Sequence, residues 1–130
     1  MPHHRRRGGR QDNASQVEGL NLVANQLGDE GAAVLANVMC AYGSLTNLYL
    51  GENNIGDGGA KAIAAAVAAS APLTILYLGE NNIGNEGAKA LAEAIRASGS
   101  LALKDLYVGN ALRKNVDLKA ACQAKGVRLH

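Results

Sequence analysis

The stretch Leu48-Tyr-Leu-Gly-Glu-Asn-Asn-Ile-Gly56 occurs a second time, residue for residue, as Leu76–Gly84. A catalytic loop is rarely present in two identical copies, whereas a structural unit is repeated as often as the architecture requires. The same pattern appears one equal step earlier, with Leu20, Leu22 and Asn25 in the equivalent positions of Val17–Gly28. The duplicated phrase therefore indicates one turn of a repeat.

A fourth copy of the pattern begins at Leu103, with Leu106 and Val108 in register. This copy has drifted, because the step from Leu73 to Leu103 is longer than the step between the earlier copies, and Ala111 stands where the repeat has an asparagine. We therefore predict about four repeats over residues 17–112. Residues 1–16 are predicted to be a flexible basic tail, and residues 113–130 a C-terminal helix and cap. The fourth unit has a changed loop at Gly109–Lys114, and a last helix is predicted at about Asp117–Ala124, followed by Gly126 and the short segment Val127–Leu129 that ends the cap.

Each repeat contains two periodicities. Leu48 and Leu50 alternate with other residues, as in a short strand with one buried face. After the glycine, apolar residues recur at helical spacing and are mostly small. These helical positions are Ala32, Leu35, Ala36 and Met39, then Ala60, Ile63, Ala64 and Val67, then Ala88, Leu91, Ala92 and Ile95. Each unit is thus predicted to be a strand, a turn and a helix. Gly31, Gly59 and Gly87 open the helices, where a glycine allows a sharp turn or a close approach.

A single unit of this kind cannot bury its own apolar face, but stacked units can. Leu20, Leu48, Leu76 and Leu106 would then form one continuous column. The recurring Asn25, Asn53 and Asn81 are predicted to be buried and to satisfy backbone groups where the chain leaves the strand, since an amide side chain both donates and accepts. The fold class is therefore α/β, a short solenoid of 28-residue repeats.

The pattern L-x-x-L-x-L-x-x-N-x-I/L, followed by G-A-x-x-L-A, resembles leucine-rich repeats, and among them the ribonuclease-inhibitor type. That type is also found in nucleotide-binding immune receptors and in the Ran GTPase-activating protein. The resemblance implies a parallel sheet on the concave face, helices on the convex face, and recognition of a protein partner across the concave face. It names no partner.

Outward positions of the strands define the candidate binding residues, because residues between the leucines point away from the core. The central outward column contains Tyr49, Tyr77 and Tyr107, after Asn21 in the first repeat. Asn47, Ile75 and Asp105 stand two residues before the tyrosines, and Glu52 and Glu80 follow at the rim. Gly51 and Gly79 leave room beside the rings. We expect these tyrosines to anchor a protein partner, and the glutamates to favour a basic surface on it. The alternative is a tyrosine ladder that only stabilises the sheet.

The two ends of the chain differ from the repeats in charge. Residues 1–10 contain four Arg and no acidic residue, residues 11–103 contain three basic and nine acidic residues, and residues 104–130 contain six basic and two acidic residues. Nucleic-acid association through these basic ends is an alternative function, as is regulation of a small GTPase, which the resemblance suggests. The strand edge at Val17–Leu22 has no apolar cap before it, so self-association through this edge is a further expectation.

Catalytic chemistry is not expected. The three histidines are His3, His4 and His130, so the repeats contain none and cannot build a Ser-His-Asp or Cys-His arrangement. We expect no cofactor, no metal site and no membrane span. Cys40 and Cys122 lie three helix layers apart, which excludes a disulfide between them. Free and largely buried thiols favour the cytoplasm, or the nucleus, as location.

Overall fold

The computed structural model describes residues 18–41, 43–69, 72–99 and 101–130, and the predicted tail at residues 1–16 lies outside these ranges. Strand and helix alternate along the chain. The elements are β1 (Gly19–Asn21), α1 (Gly28–Ala41), β2 (Asn47–Tyr49), α2 (Asp57–Ala68), β3 (Ile75–Tyr77), α3 (Asn85–Ala97), β4 (Asp105–Tyr107), α4 (Asn110–Arg113), α5 (Val116–Lys125) and β5 (Arg128–Leu129). The predicted α/β solenoid is confirmed.

The strands form one parallel sheet in the order β1-β2-β3-β4-β5. Each strand pairs with the next one in the register that the repeat predicts, so that Leu20, Leu48, Leu76 and Leu106 are successive partners. The longer step into the fourth unit leaves this register intact, because the additional residues lie before β4. A fifth strand, β5, pairs with β4 beyond the predicted repeats.

The core lies between the sheet and a layer of helices, in which α1 packs on α2, α2 on α3, and α3 on α5. The central leucines Leu48, Leu76 and Leu106 are fully buried, and each contributes about 2 kcal/mol by removal of its side chain from water. Leu20 is only half-buried, because no described coil precedes it. Alanines on the helices allow the close helix spacing that such short coils require.

The recurring asparagines join one coil to the coil before it. Asn53 is completely buried. Its Oδ1 accepts the amides of Asn25 and Leu27, and its Nδ2 donates to the carbonyls of Leu22 and Gly51. Asn81 repeats the pattern one coil later, accepting from Asn53 and Ile55. The predicted hydrogen-bonding role of Asn53 and Asn81 is therefore confirmed, whereas burial is confirmed for Asn53 only, since Asn81 is half-buried.

The expectation that Asn25 is also buried was wrong. Its side chain is exposed and donates only to the carbonyl of Val23, two residues away. The physical reason is its position in the stack: an asparagine of this kind bonds to the preceding coil, and no described coil precedes the first one. The same consensus residue thus has two environments in one molecule.

Aspartates cap the helices of the following coil. Gly56 and Gly84 occupy the N-cap positions of α2 and α3 and have no side chain with which to cap. Their amides donate instead to Oδ1 of Asp29, at 2.6 Å, and of Asp57, at 2.7 Å, both from the helix before. A carboxylate at this point also faces the positive end of the helix dipole. Each helix start is therefore completed only when two coils stack.

Gly59 and Gly87 are required by the same close packing. A Cβ atom at Gly87 would lie 2.5 Å from Ile83 Cγ2, 2.9 Å from Asp57 Oδ1 and 3.0 Å from the Cβ of Ala60. At Gly31, the equivalent place in α1, the three atoms nearest to such a Cβ all belong to Leu27, the closest at 2.7 Å. The close-approach role is thus confirmed at all three glycines, and at Gly59 and Gly87 the approach includes residues of the preceding coil.

The C-terminal segment differs in detail from the prediction. Residues Gly109–Lys114, interpreted as an altered loop, contain the one-turn helix α4, because Leu112 turns inward and is buried. The last helix is longer than the predicted 117–124. Asn115 caps its start by accepting the amide of Leu118, and Gly126, with φ of 73°, ends it in the left-handed conformation. Gly126 thereby returns the chain to the sheet as β5.

Candidate functional site

The outward residues of the five strands form one surface, which we call the sheet face. Because the central leucines of β2, β3 and β4 are buried, the two neighbours of each point away from the helices. Tyr49, Tyr77 and Tyr107 are successive strand partners, so they occupy one column across the sheet. The sheet face is made of Asn47, Tyr49, Ile75, Tyr77, Asp105, Tyr107, Arg128 and His130, with Glu52 and Glu80 at its rim.

Three rings of this face are stacked. The ring centroids of Tyr77 and Tyr107 are 5.3 Å apart with planes at 22°, and those of Tyr107 and His130 are 4.2 Å apart with planes at 13°. His130 reaches this position because β5 continues the register of β4: its amide donates to the carbonyl of Leu106, and its carbonyl accepts from Val108. Tyr77 leaves 36% of its surface exposed. The stack therefore presents an aromatic strip to solvent.

Glycines fix the position of the Tyr77 ring. A Cβ atom at Gly51 or at Gly79 would lie 3.0 Å from Cε1 of Tyr77, so the ring lies across the backbone of both glycines. Tyr49, by contrast, stacks on no ring of the described residues and is half-buried. The three tyrosines that the sequence aligns are therefore not equivalent: two belong to the stack and one stands beside it.

Asp105 is engaged within the protein. Its carboxylate accepts Nε and a terminal nitrogen of Arg128, at 2.7 and 2.9 Å, and lies 3.0 Å from Nε2 of His130. The hydrogen bonds from Arg128, and then from His130, hold the pKa of this carboxyl well below its usual range. The same contact raises the pKa of the Arg128 guanidinium. At the β4–β5 end the acid is thus neutralised, and it is not a free anion for a partner.

Among the other predicted site residues, Asn47 is polar and Ile75 is apolar, and neither carries a charge. Oδ1 of Asn47 accepts the hydroxyl of Thr74 at 3.3 Å, and Ile75 is half-buried between its strand neighbours. Glu52 and Glu80 are exposed, both with φ of 57°. Neither carboxylate has an ion-pair partner among the described residues. The free negative charge of the sheet face therefore lies at the rim beside β2 and β3.

The two thiols differ in environment. Cys122 is buried in α5, and loss of solvent raises the pKa of its thiol to about 11. Cys40 is exposed near the end of α1, so the expectation that both thiols are largely buried was wrong for this one. The helical pattern places it one residue after the buried Met39 and thus off the apolar stripe. Neither cysteine is in a disulfide.

In the described residues, His, Cys, Asp and Glu nowhere gather in a group of three or more able to hold a metal ion. None of the helices in the same ranges has the length and apolar character needed to cross a membrane.

Arg128 and His130 were missed by the sequence prediction. The short segment 127–129 was recognised only as the end of the cap, although Leu129 has the spacing of a strand leucine between two outward residues. That single leucine is the signal that places Arg128 and His130 beside Asp105 and Tyr107.

Comparison with known sequences agrees with this architecture. No curated protein matches the chain. The sequence model described as "Leucine Rich repeat" matches three segments, residues 17–36, 44–64 and 69–92. These segments coincide with the first three strand–turn–helix coils and together cover half of the chain. The chain therefore belongs to the leucine-rich repeat family.

Proposed function

We propose that the protein is a non-catalytic binding module whose sheet face recognises a protein partner. Leucine-rich repeats generally mediate protein–protein interaction. The observation that carries the proposal for this face is the exposed stack of Tyr77, Tyr107 and His130. Rigid aromatic side chains with a polar tip lose little conformational entropy on binding and are enriched among residues that dominate binding energy.

The charge around the stack defines the chemistry of the partner. Glu52 and Glu80 are exposed at the rim, close to the rings along the chain, and neither has an ion-pair partner in the part of the chain that the structure describes. A partner that places an Arg or Lys at this rim gains charge-assisted hydrogen bonds. The same guanidinium can lie over the face of Tyr77 as a cation–π contact. We therefore propose a partner segment with basic residues beside an apolar or aromatic one.

The stack also stabilises the sheet, and this role is compatible with binding. An aromatic pair contributes about 0.5–1.5 kcal/mol beyond burial of its area. Removal of the Tyr77 ring therefore lowers the stability of the free protein by about 1 kcal/mol even when no partner is present. A binding role predicts a separate loss of affinity in excess of this amount.

The experiment captures a partner with the wild-type chain and compares its affinity for Tyr77→Ala, Tyr77→Phe and Lys89→Ala. Tyr77→Phe keeps the stack, and Lys89 is exposed on the helix side. We expect Tyr77→Ala to weaken binding by about 2 kcal/mol or more, which is roughly thirtyfold, with the far-ultraviolet circular dichroism unchanged. Lys89→Ala should bind as wild type. Unchanged affinity of Tyr77→Ala would refute the sheet face as the contact surface.

Three more specific proposals concern the type of repeat, the cellular compartment and self-association. Full α-helices opposite the repeat strands support the ribonuclease-inhibitor type of repeat. The two free thiols support a reducing compartment such as the cytoplasm. The outer edge of β1, which pairs with no strand among the described residues, supports self-association, because an unpaired parallel edge presents free N–H and C=O groups.

A further inference from the structure

The N-terminal end of the solenoid is shaped like an interface between coils. In α2 the residues that face the preceding coil are Gly58, Ala62 and Ala66: a Cβ at Gly58 would lie 3.0 Å from Oδ2 of Asp29, and the other two follow at helical spacing. Ala62 is half-buried and Ala66 is buried. In α1 the equivalent positions, one repeat earlier, are Glu30, Val34 and Val38.

Of these positions of α1, Glu30 and Val34 are exposed and Val38 is half-buried. Val34 is 61% exposed and Val23 is 38% exposed, and Leu20, Leu22 and Leu27 are only half-buried. The corresponding residues of the next coil, Leu48, Leu50 and Ile55, are fully buried. The end therefore exposes an apolar strip along β1 and α1, which we call the head surface. Beside it runs the outer edge of β1, paired only with β2 on the other side.

The head surface is strongly acidic. Residues 18–60 contain five acidic side chains and not one Lys or Arg. Two of the five, Glu18 and Glu30, belong to the first coil and are exposed, whereas Asp29 of the same coil faces the following coil, where its Oδ1 accepts the amide of Gly56. An apolar strip surrounded by acid favours a partner that is apolar and basic.

The opposite end of the same molecule has that character. A groove of about 370 Å³ is lined only by residues of the last coil, which are Arg113, Lys114, Lys119, Cys122, Gln123, Val127 and Leu129. Val116 is 81% exposed at the start of α5. Both acids of this region are already paired, Asp105 with Arg128 and Asp117 with Arg96. Among the described residues, none of the three cations of the groove forms an ion pair, and we call this end the tail surface.

We propose that the protein associates with itself head to tail, the acidic head surface of one copy docking on the basic tail surface of the next. The outer edges of β1 and β5 belong to one parallel sheet, so this stacking pairs β5 of one copy with β1 of the next in the same direction. A head-to-head dimer would bring two acidic surfaces together. The contact is heterologous and does not close on itself after two copies, so it generates larger assemblies at higher concentration.

Head-to-tail stacking also extends the binding surface. Successive copies would continue one sheet, and their aromatic strips would lie along the same side. Such an extended surface would bind a repetitive partner multivalently and would gain avidity. Only this gain in avidity rests on the proposed function. The association itself does not depend on the partner.

The experiment is sedimentation equilibrium of the full chain at concentrations up to about 1 mM, a range that detects dissociation constants up to the millimolar limit. Two charge reversals test the two ends: Glu30→Lys on the head and Lys119→Glu on the tail. Both positions are exposed on helices. The matched controls are Glu93→Lys and Lys89→Glu, on the solvent side of α3.

We expect each end variant to weaken self-association by about tenfold or more, because an attractive pair becomes a repulsive one. The control variants should associate as wild type. An equimolar mixture of Glu30→Lys and Lys119→Glu should recover association, since the basic head of one variant meets the acidic tail of the other. High salt should weaken the wild-type association.

Three outcomes would overturn the proposal. The chain could remain monomeric over the whole concentration range. Lys119→Glu could leave association unchanged while Glu30→Lys strengthens it, which is the result of a head-to-head contact between two acidic surfaces. Deletion of residues 1–16 could create an association that the full chain lacks, which would show that this segment covers the head surface. Tyr77→Ala is expected to leave self-association intact, so failure here is separable from failure of partner binding.

Discussion

Replacement of Asn53 by alanine tests whether the repeated asparagine holds adjacent coils together. Four hydrogen bonds are lost: the amides of Asn25 and Leu27 donate to Oδ1 at 2.8 and 3.3 Å, and Nδ2 donates to the carbonyls of Leu22 and Gly51 at 2.8 and 3.1 Å. Asn53 is completely buried, so the substitution removes these partners from four backbone groups, of which the Gly51 carbonyl still accepts the amide of Ala24.

The expected loss of stability follows from this count. A hydrogen bond contributes about 1 kcal/mol net, and a buried group left unpaired costs about 1–3 kcal/mol. Three of the four bonds are part-buried, and water can reach the open first coil, which reduces the penalty. We therefore expect Asn53→Ala to lower the free energy of unfolding by about 3 kcal/mol. A domain of this size has about 5–15 kcal/mol in total.

Asn25→Ala is the matched control, because it removes the same consensus residue where it makes one exposed bond, to the carbonyl of Val23. Its expected effect is below about 1 kcal/mol. Urea denaturation followed by circular dichroism gives both values, and equal slopes show that the same surface unfolds. Equal losses for the two variants would refute the assignment of Asn53 as a link between coils.

Three further predictions concern packing, backbone and charge. Gly87→Ala should destabilise by about 2 kcal/mol, because its Cβ would overlap Ile83 and Asp57; urea denaturation beside Gly31→Ala, which lacks those contacts from a preceding coil, measures the difference. Ala24→Gly should stabilise by about 0.5–1 kcal/mol, because Ala24 has φ of 61°; a lower melting temperature would contradict this. Asp105 has a depressed folded-state pKa, so its stabilisation is complete above its ordinary pKa of 3.8 and is lost as pH falls through the folded value. In thermal melts across pH, the stability of Asp105→Asn should therefore depend less on pH below pH 3.8 than that of the wild type. An unchanged pH dependence would contradict this prediction.

The sequence predicted the interior coils well because they are nearly identical. Leu48 and Leu76 occupy equivalent positions in successive coils, as do Asn53 and Asn81, so a prediction that is correct for one coil is also correct for the next. The exposed column was predicted for the same reason, since a period of two fixes which side of a strand each residue faces.

The ends of the chain were predicted less well, because there the same residue type has different neighbours. Asn25 follows the consensus but is exposed, since its bonding partners belong to a preceding coil. His130 joins the aromatic stack only through β5, a strand of two residues that is too short for a periodic signal. The pairing of Asp105 with Arg128 joins residues far apart in the chain and depends on the turn at Gly126.

Photo-crosslinking tests the central claim, that the sheet face is the surface that binds a protein. The photoreactive amino acid p-benzoylphenylalanine is placed at position 77 in one variant and at position 61, on the exposed side of α2, in another. After irradiation in lysate, position 77 should give a crosslinked product that is not a multiple of the 13.4 kDa chain, and position 61 should give none. Two results would contradict the account: crosslinking from position 61 alone, or the absence of crosslinks to other proteins from both positions.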